Sequence, residues 1–153
     1  MRVNSNPDLK KHLDEVIHKI ASAQEDDGYL YTNRTINPQK AADGAGKVRW
    51  TGLEIFHELY NVGHLYEAAV AHYEATGERK LLDVAIKNAN LVESVFGPNK
   101  NIGVPGHQEI EIGLVKLYRV TGEKKYLDLA KFFIDQKGRN KNERIHNDFK
   151  KAN

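Results

Sequence analysis

Apolar positions recur along this chain with a helical period, interrupted by turn signals that divide it into five segments. Asn6-Pro7-Asp8 supplies a cap, a proline at the first helical position and an acid in the first turn. Leu13, Val16, Ile17 and Ile20 then fall on one face of a helix that Gln24 to Gly28 ends. Residues 29–48 form a long connection containing Pro38, Gly44 and Gly46, and connections of this length are usually functional or disordered. Thr51-Gly52-Leu53-Glu54 has the form of a capping box and predicts a helix running to about Ala75. Between Leu53 and Glu74 that helix carries no Lys or Arg. Phe56, Leu59, Val62, Leu65, Ala68, Ala69, Val70 and Ala71 cover every side, the pattern of a buried helix.

The next segment, about Glu78 to Phe96, differs in kind. Leu81, Leu82, Ala85, Ile86, Ala89 and Val92 make a stripe, and Arg79, Lys80, Asp83, Lys87, Asn90 and Glu93 cover much of the rest, so this is a surface helix stopped by Gly97-Pro98-Asn99. A further pair, about His107 to Val120 and Glu123 to Gln136, is joined by Thr121-Gly122. The two pairs are copies. Tyr73-Glu74-Ala75-Thr76-Gly77-Glu78-Arg79-Lys80-Leu81-Leu82-Asp83-Val84-Ala85 aligns with residues 118–130, placing Gly122 45 residues after Gly77, with Tyr, Thr, Gly, Glu, Lys, Leu, Asp and Ala shared. The glycine closes one helix in a left-handed conformation and the glutamate begins the next, at the positive end of its dipole. The fold class is therefore all-α: helical hairpins with a 45-residue repeat, part of a solenoid or a closed α/α barrel. Six such hairpins need roughly 270 residues, so two hairpins and a leading helix cannot close a ring.

Composition narrows the partners. The 153 residues are 40% hydrophobic and 29% charged, ordinary for a globular domain, and the net charge is only +2. That excess lies in the tail, where Lys137, Arg139, Lys141, Arg144, Lys150 and Lys151 face Glu143 and Asp148; the rest carries 17 basic and 19 acidic residues. No basic face suits nucleic acid, and no apolar run approaches the ~18 residues of a membrane span. No signal peptide is legible at the N-terminus, and cysteine is absent, which excludes disulfides and thiolate chemistry within the chain and fits a soluble cytoplasmic protein. Residues 1–138 read as one partial helical domain and residues 139–153 as a basic polar tail, expected to be disordered.

The best polar constellation lies on the apolar helix. At ~100° per residue, His57, Asn61 and His64 share a sector of about 60°, and polar groups on such a helix need partners: either a ligand or the protein's own core. His57-Glu58-Leu59-Tyr60-Asn61 stops one residue short of a zinc-protease motif, because Asn61 stands where the second histidine is required. His107, after Val104-Pro105-Gly106, starts the second buried helix; it faces the same cavity or pairs with Glu111 one turn on. Tyr29, Tyr31, Trp50 and Arg49 cluster around the long connection, where aromatic faces suit sugars but also anchor loops. Glu54, Glu58, Glu109 and Glu111 are available, yet no pair qualifies as the acid/base couple a glycosidase needs.

The ordered combination of these pieces resembles glycoside hydrolase family 127, the β-L-arabinofuranosidase type. It comprises Ala23-Gln24 with Asp27-Gly28-Tyr29-Leu30, Arg49-Trp50-Thr51, and His57 through Ala71. Ser94-Val95-Phe96-Gly97-Pro98, Pro105 through Glu111 and both Thr-Gly-Glu hairpins continue it, so the likeness covers about residues 7–138. The resemblance implies an α/α six-hairpin barrel and exo-acting, configuration-retaining release of L-arabinofuranose from β-linked plant glycans. It also implies a zinc-bound cysteine nucleophile and a glutamate acid/base, both beyond the C-terminal end of the matching stretch, with histidines gripping the sugar. His57, His64 and His107 match such histidines; with Asn61 and Trp50 they are the expected sugar contacts. No catalytic residue and no metal ligand is expected within this chain, which reads as an interrupted or truncated member, inactive alone. The alternative reading is a helical-repeat sugar-binding or protein-interaction module, and a third is a non-functional remnant whose bare helix faces favour self-association.

Overall fold

The computed structural model describes residues 6–40, 45–46 and 48–139. Six α-helices follow in order: α1 (Pro7–Ala23), the single turn α2 (Thr32–Thr35), α3 (Glu58–Thr76), α4 (Lys80–Val95), α5 (Ile110–Thr121) and α6 (Lys124–Lys137). Among the described residues the only β-pairing is an isolated parallel bridge between Phe96 and Asn101. The chain is all-α. None of its described helices is long and apolar enough to cross a membrane.

Helices α3 and α5 lie side by side as an inner row, and α4 and α6 pack behind them as an outer row, with α1 continuing the outer row against α4. The two rows share one core. Leu59, Val62, Tyr66, Ala69 and Val70 of α3 and Ile110, Leu114 and Leu117 of α5 meet Leu82, Ala85, Ala89 and Val92 of α4 and Tyr126, Leu129, Ala130 and Phe133 of α6. The inner helices approach backbone to backbone. A Cβ at Gly63 would stand 2.6 Å from Ile110 N, and one at Gly113 would stand 2.7 Å from Gly63 O. Only glycine permits that distance.

The repeated turns place their glycines as predicted, whereas α4 starts at Lys80, two residues after the glutamate expected to begin it. Gly77 and Gly122 cap α3 and α5 with φ of 79° and 76°. In each turn the preceding threonine hydroxyl donates to the carbonyl four residues back and accepts the N–H of the following glutamate: Thr76 with His72 and Glu78, Thr121 with Leu117 and Glu123. Asn6 caps α1 as expected, accepting from the N–H groups of Asp8 and Leu9 at 3.1 Å. Of the α1 stripe, however, Ile17 alone is fully buried, while Leu13 and Val16 are each 36% exposed, because α4 is the helix chiefly packed against this face.

Three expectations are corrected. The first inner helix begins at Glu58 rather than near Thr51, because residues 52–56 make a separate turn in which Gly52, at φ 68°, accepts from the N–H groups of Ile55 and Phe56. Thr51 caps nothing; its hydroxyl donates to Val48 O. The second inner helix begins at Ile110, so His107 precedes it instead of starting it. Helix α3 is also not buried all round: His57, Asn61, His64, Ala68 and Ala71 form an exposed stripe along one side. The long connection contains α2 and a 3-10 turn at Pro38–Lys40, and Gln24 and Asn88 fasten its beginning by donating to Gly28 O. Residues 41–44, including Gly44, and residues 140–153, nearly all of the expected disordered tail, lie outside the described residues.

The glycine contact makes a stability prediction. Gly63→Ala drives a methyl into the Ile110 backbone, which cannot yield as a flexible side chain would, and costs roughly 1–3 kcal/mol. Gly77→Ala meets nothing within 4 Å and costs only the left-handed strain of about 1 kcal/mol. Urea denaturation is expected to rank Gly63→Ala well below Gly77→Ala; the opposite order would mean the inner helices are not held by this contact.

Candidate functional site

Two short segments lead into the inner helices and are laced to one another. Gly106 N–H donates to Leu53 O at 3.0 Å, and a Cβ at Gly106 would lie 2.0 Å from Glu54 O, so the two segments meet backbone to backbone. From α6, the Lys137 ammonium donates to Pro105 O at 2.8 Å and Gly106 O at 3.0 Å. This clamp sets His107 beside His57. Their rings stack with centroids 5.5 Å apart and planes 10° from parallel. Tyr60, one turn into α3, presents an edge to both, at 5.5 Å from His57 and 5.6 Å from His107, and packs at 4.6 Å against His64. The three histidines are exposed and Tyr60 is half-buried. The structure thus gathers three of the predicted site residues around a tyrosine that sequence reasoning passed over. Its spacing, three after His57 and four before His64, was the available signal.

Beneath this surface Glu58 is buried. Its carboxylate accepts from the Tyr29 hydroxyl and from Trp50 N–H, the latter at 3.0 Å. Trp50 is held at φ 67°, a left-handed conformation rare for a tryptophan, and the Glu58 hydrogen bond supports it there. The Trp50 ring packs edge to face on Tyr29 at 5.1 Å and on Phe96 at 5.5 Å, and its described ring contacts do not include the histidines. Arg49 lies 4.0 Å over the Tyr29 ring and pairs with Asp27 and Glu25, each at 2.5 Å. The aromatic cluster around the long connection therefore fastens it to α3. Burial pushes the Glu58 carboxyl above its ordinary range, opposed by the bonds from Tyr29 and Trp50, and burial likewise raises the Tyr29 phenol. Asn61 opens instead onto a groove between α1 and α3, lined by Ile20, Ala23, Leu30, Tyr31 and Leu65.

A second polar group extends from His64. Its Nδ1 stands 3.0 Å from Glu109 Oε1, while Lys116 of α5 pairs with Glu67 one turn further along α3. Lys116, and then the Glu109 contact, holds the Glu67 carboxyl below the usual range; Glu109 is pushed up, first by Glu67 and then by burial. One donor atom from each of His64, Glu67 and Glu109 lies within 4.8 Å of the other two, a spacing that can hold a cation. The predicted His107–Glu111 pair does not form, because Glu111 turns back to accept Glu109 N–H at 3.1 Å. Glu111 is buried, and burial raises its carboxyl. The chain contains no cysteine, so the cysteine–glutamate zinc site implied by the resemblance has no thiolate here to form it.

Comparison with known proteins places this geometry. The family model for the β-L-arabinofuranosidase GH127 catalytic domain matches residues 1–152. A non-reducing end β-L-arabinofuranosidase of Bifidobacterium longum subsp. longum is 43% identical over 135 residues, which are 87% of this chain and 20% of that protein. The crystal structure of a GH127 β-L-arabinofuranosidase from Geobacillus stearothermophilus T6 superposes with a TM-score of 0.85 at 42% identity, covering 99% of this chain and 23% of that one. Another GH127 β-arabinofuranosidase structure gives 0.84 at 52% identity, covering 89% and 22%. The chain spans about a fifth of the length of these relatives.

The buried carboxyl predicts a pH effect. Because Glu58 has its folded pKa raised, the folded state holds a proton that the unfolded state releases between the ordinary carboxylate value and the raised one. Stability therefore falls as pH rises through that window and levels off above it. Glu109 and Glu111 act in the same direction, so the expected result is that Glu58→Gln flattens part of the slope of unfolding free energy against pH. An unchanged slope would mean that burial of Glu58 does not perturb it.

Proposed function

The chain belongs to the GH127 β-L-arabinofuranosidase catalytic-domain family, and from that premise we propose that it forms part of the wall of a site for β-linked L-arabinofuranosides of plant-type glycans. The observation that carries this reading is the exposed cluster of His57, Tyr60 and His107 where two parallel inner helices begin. Imidazole nitrogens exchange hydrogen bonds with hydroxyl groups, and a tyrosine ring offers an apolar surface to a sugar's C–H face. His64 adjoins through Tyr60, Asn61 lines a neighbouring groove, and Trp50 supports the site from below. In the family's reaction, which we take to retain configuration, the resemblance implies a cysteine nucleophile with a glutamate acid/base, and this chain holds no cysteine. Here Glu58 holds Tyr29 and Trp50, and Glu109 and Glu67 face His64 and Lys116. The chain alone binds sugar without cleaving it.

Titration calorimetry with L-arabinose is expected to give weak binding, on the order of millimolar, and His57→Ala, His107→Ala is expected to abolish it. A chromogenic β-L-arabinofuranoside is expected to stay intact. Turnover above the enzyme-free rate, or binding that survives the double substitution, would overturn the proposal.

A second reading, self-association, is favoured by Leu9, Leu13 and Val16, which lie exposed along α1. Sedimentation is expected to show concentration-dependent dimers that Leu13→Lys dissociates; a monomer at all concentrations rejects it.

A further inference from the structure

We propose that His64, Glu67 and Glu109 form a binding site for one divalent transition-metal ion of the zinc class, built across the junction of α3 and α5. This inference goes beyond the sugar reading and does not depend on it. His64 and Glu67 stand three residues apart on α3 and so project from the same side. Glu109 caps α5 directly opposite, at the point where Gly63 and Ile110 touch, and that backbone contact fixes the separation of the two ligand-bearing elements. Metal sites in helical proteins are built in this manner, from an i, i+3 histidine–carboxylate pair and a carboxylate on a facing helix.

The donor set suits the ion. One imidazole and two carboxylates are borderline ligands that zinc accepts at about 2.0–2.2 Å, leaving a fourth position open. Ligand atoms around such an ion are roughly 3.3 Å apart, so the atoms here, all within 4.8 Å of one another, need to close by about an ångström or so. His64 is exposed and α3 is otherwise rigidly packed, so the imidazole supplies that movement.

An independent observation points the same way. Glu109 is 9% exposed, and its Oε1 is buried without a hydrogen bond, although His64 Nδ1 stands 3.0 Å from it. A buried carboxylate oxygen left without a donor is costly, and this one is aimed between His64 and Glu67. The groups facing the position are His64, Glu67, Glu109 and Lys116. Glu67 and Glu109 bring two carboxylates to one position, and Lys116 pairs with Glu67 there. A divalent ion takes the carboxylate oxygens and displaces the ammonium.

The test is calorimetric titration of the full chain with zinc chloride, with the visible absorption of cobalt(II) as a second readout. Expected are one ion per chain and an affinity weakened at least about tenfold by His64→Asn and by Glu109→Gln. Lys116→Met is expected to tighten binding by removing the competing cation, and His57→Ala, His107→Ala to leave it unchanged. His64 is exposed, so loss of binding in its variant cannot be ascribed to misfolding. No binding at millimolar zinc, binding that survives both ligand substitutions, or binding lost with His57 and His107 would overturn the site.

Discussion

The approach of α3 to α5 through Gly63 and Gly113 governs everything the inner surface can do. With a Cβ excluded at both positions, the helix backbones meet, Gly63 lying against Ile110 N and Gly113 against Gly63 O. A separation set by backbone is more rigid than one set by side chains, because no rotamer change can relax it. Consequently the residues just before the contact, His57 and His107, and those just after it, His64 and Glu67 facing Glu109, are fixed relative to each other by the same constraint. Loosening this contact would alter both groups together.

The outer helices serve that arrangement. Helix α4 fastens the first loop, since Asn88 accepts the Tyr66 hydroxyl at 2.6 Å and donates to Gly28 O at 2.9 Å, while Gln24 donates to Val84 O. Helix α6 fastens the second through Lys137. Each of these polar side chains thus joins an outer helix to a segment that shapes the inner surface, and a satisfied buried amide such as Asn88 specifies one arrangement where an apolar contact would tolerate several.

Features written locally were legible in the sequence. The Thr-Gly-Glu turns closed the hairpins where expected, because a glycine in the left-handed region and a threonine hydroxyl bonded four residues back involve only nearby atoms. Helix starts were less legible. Thr51 and Glu54 satisfy a capping pattern, yet Gly52 makes a tighter turn and Glu58 is drawn to Tyr29, twenty-nine residues earlier, and to Trp50. The site divides along the same line. Shared helical phase put His57 and His64 together, but the stacking of His107 on His57 depends on Lys137 and on contact with residues 53–54, which no local pattern records. Trp50, read from its type as either a sugar platform or a loop anchor, has a positive φ and two aromatic neighbours that build it into the loop's foundation.

The exposed side of α3 shows why an apparently all-apolar helix can carry a polar site. Positions 57, 61, 64, 68 and 71 recur every three or four residues, and each is exposed. The first three are histidine or asparagine and the last two are alanine, so the stripe is polar and tall at the helix start and flat beyond it. Alanine counts as apolar in any periodicity argument, yet exposing its single methyl group costs little. Ala68 and Ala71 therefore made a two-sided helix read as one buried throughout. Larger apolar residues there would have required a covering partner and closed the side that the histidines face. The small residues thus keep open the face that the polar ones use, and it is residue size along one stripe, more than mean hydropathy, that distinguishes a site-bearing inner helix from an ordinary core helix.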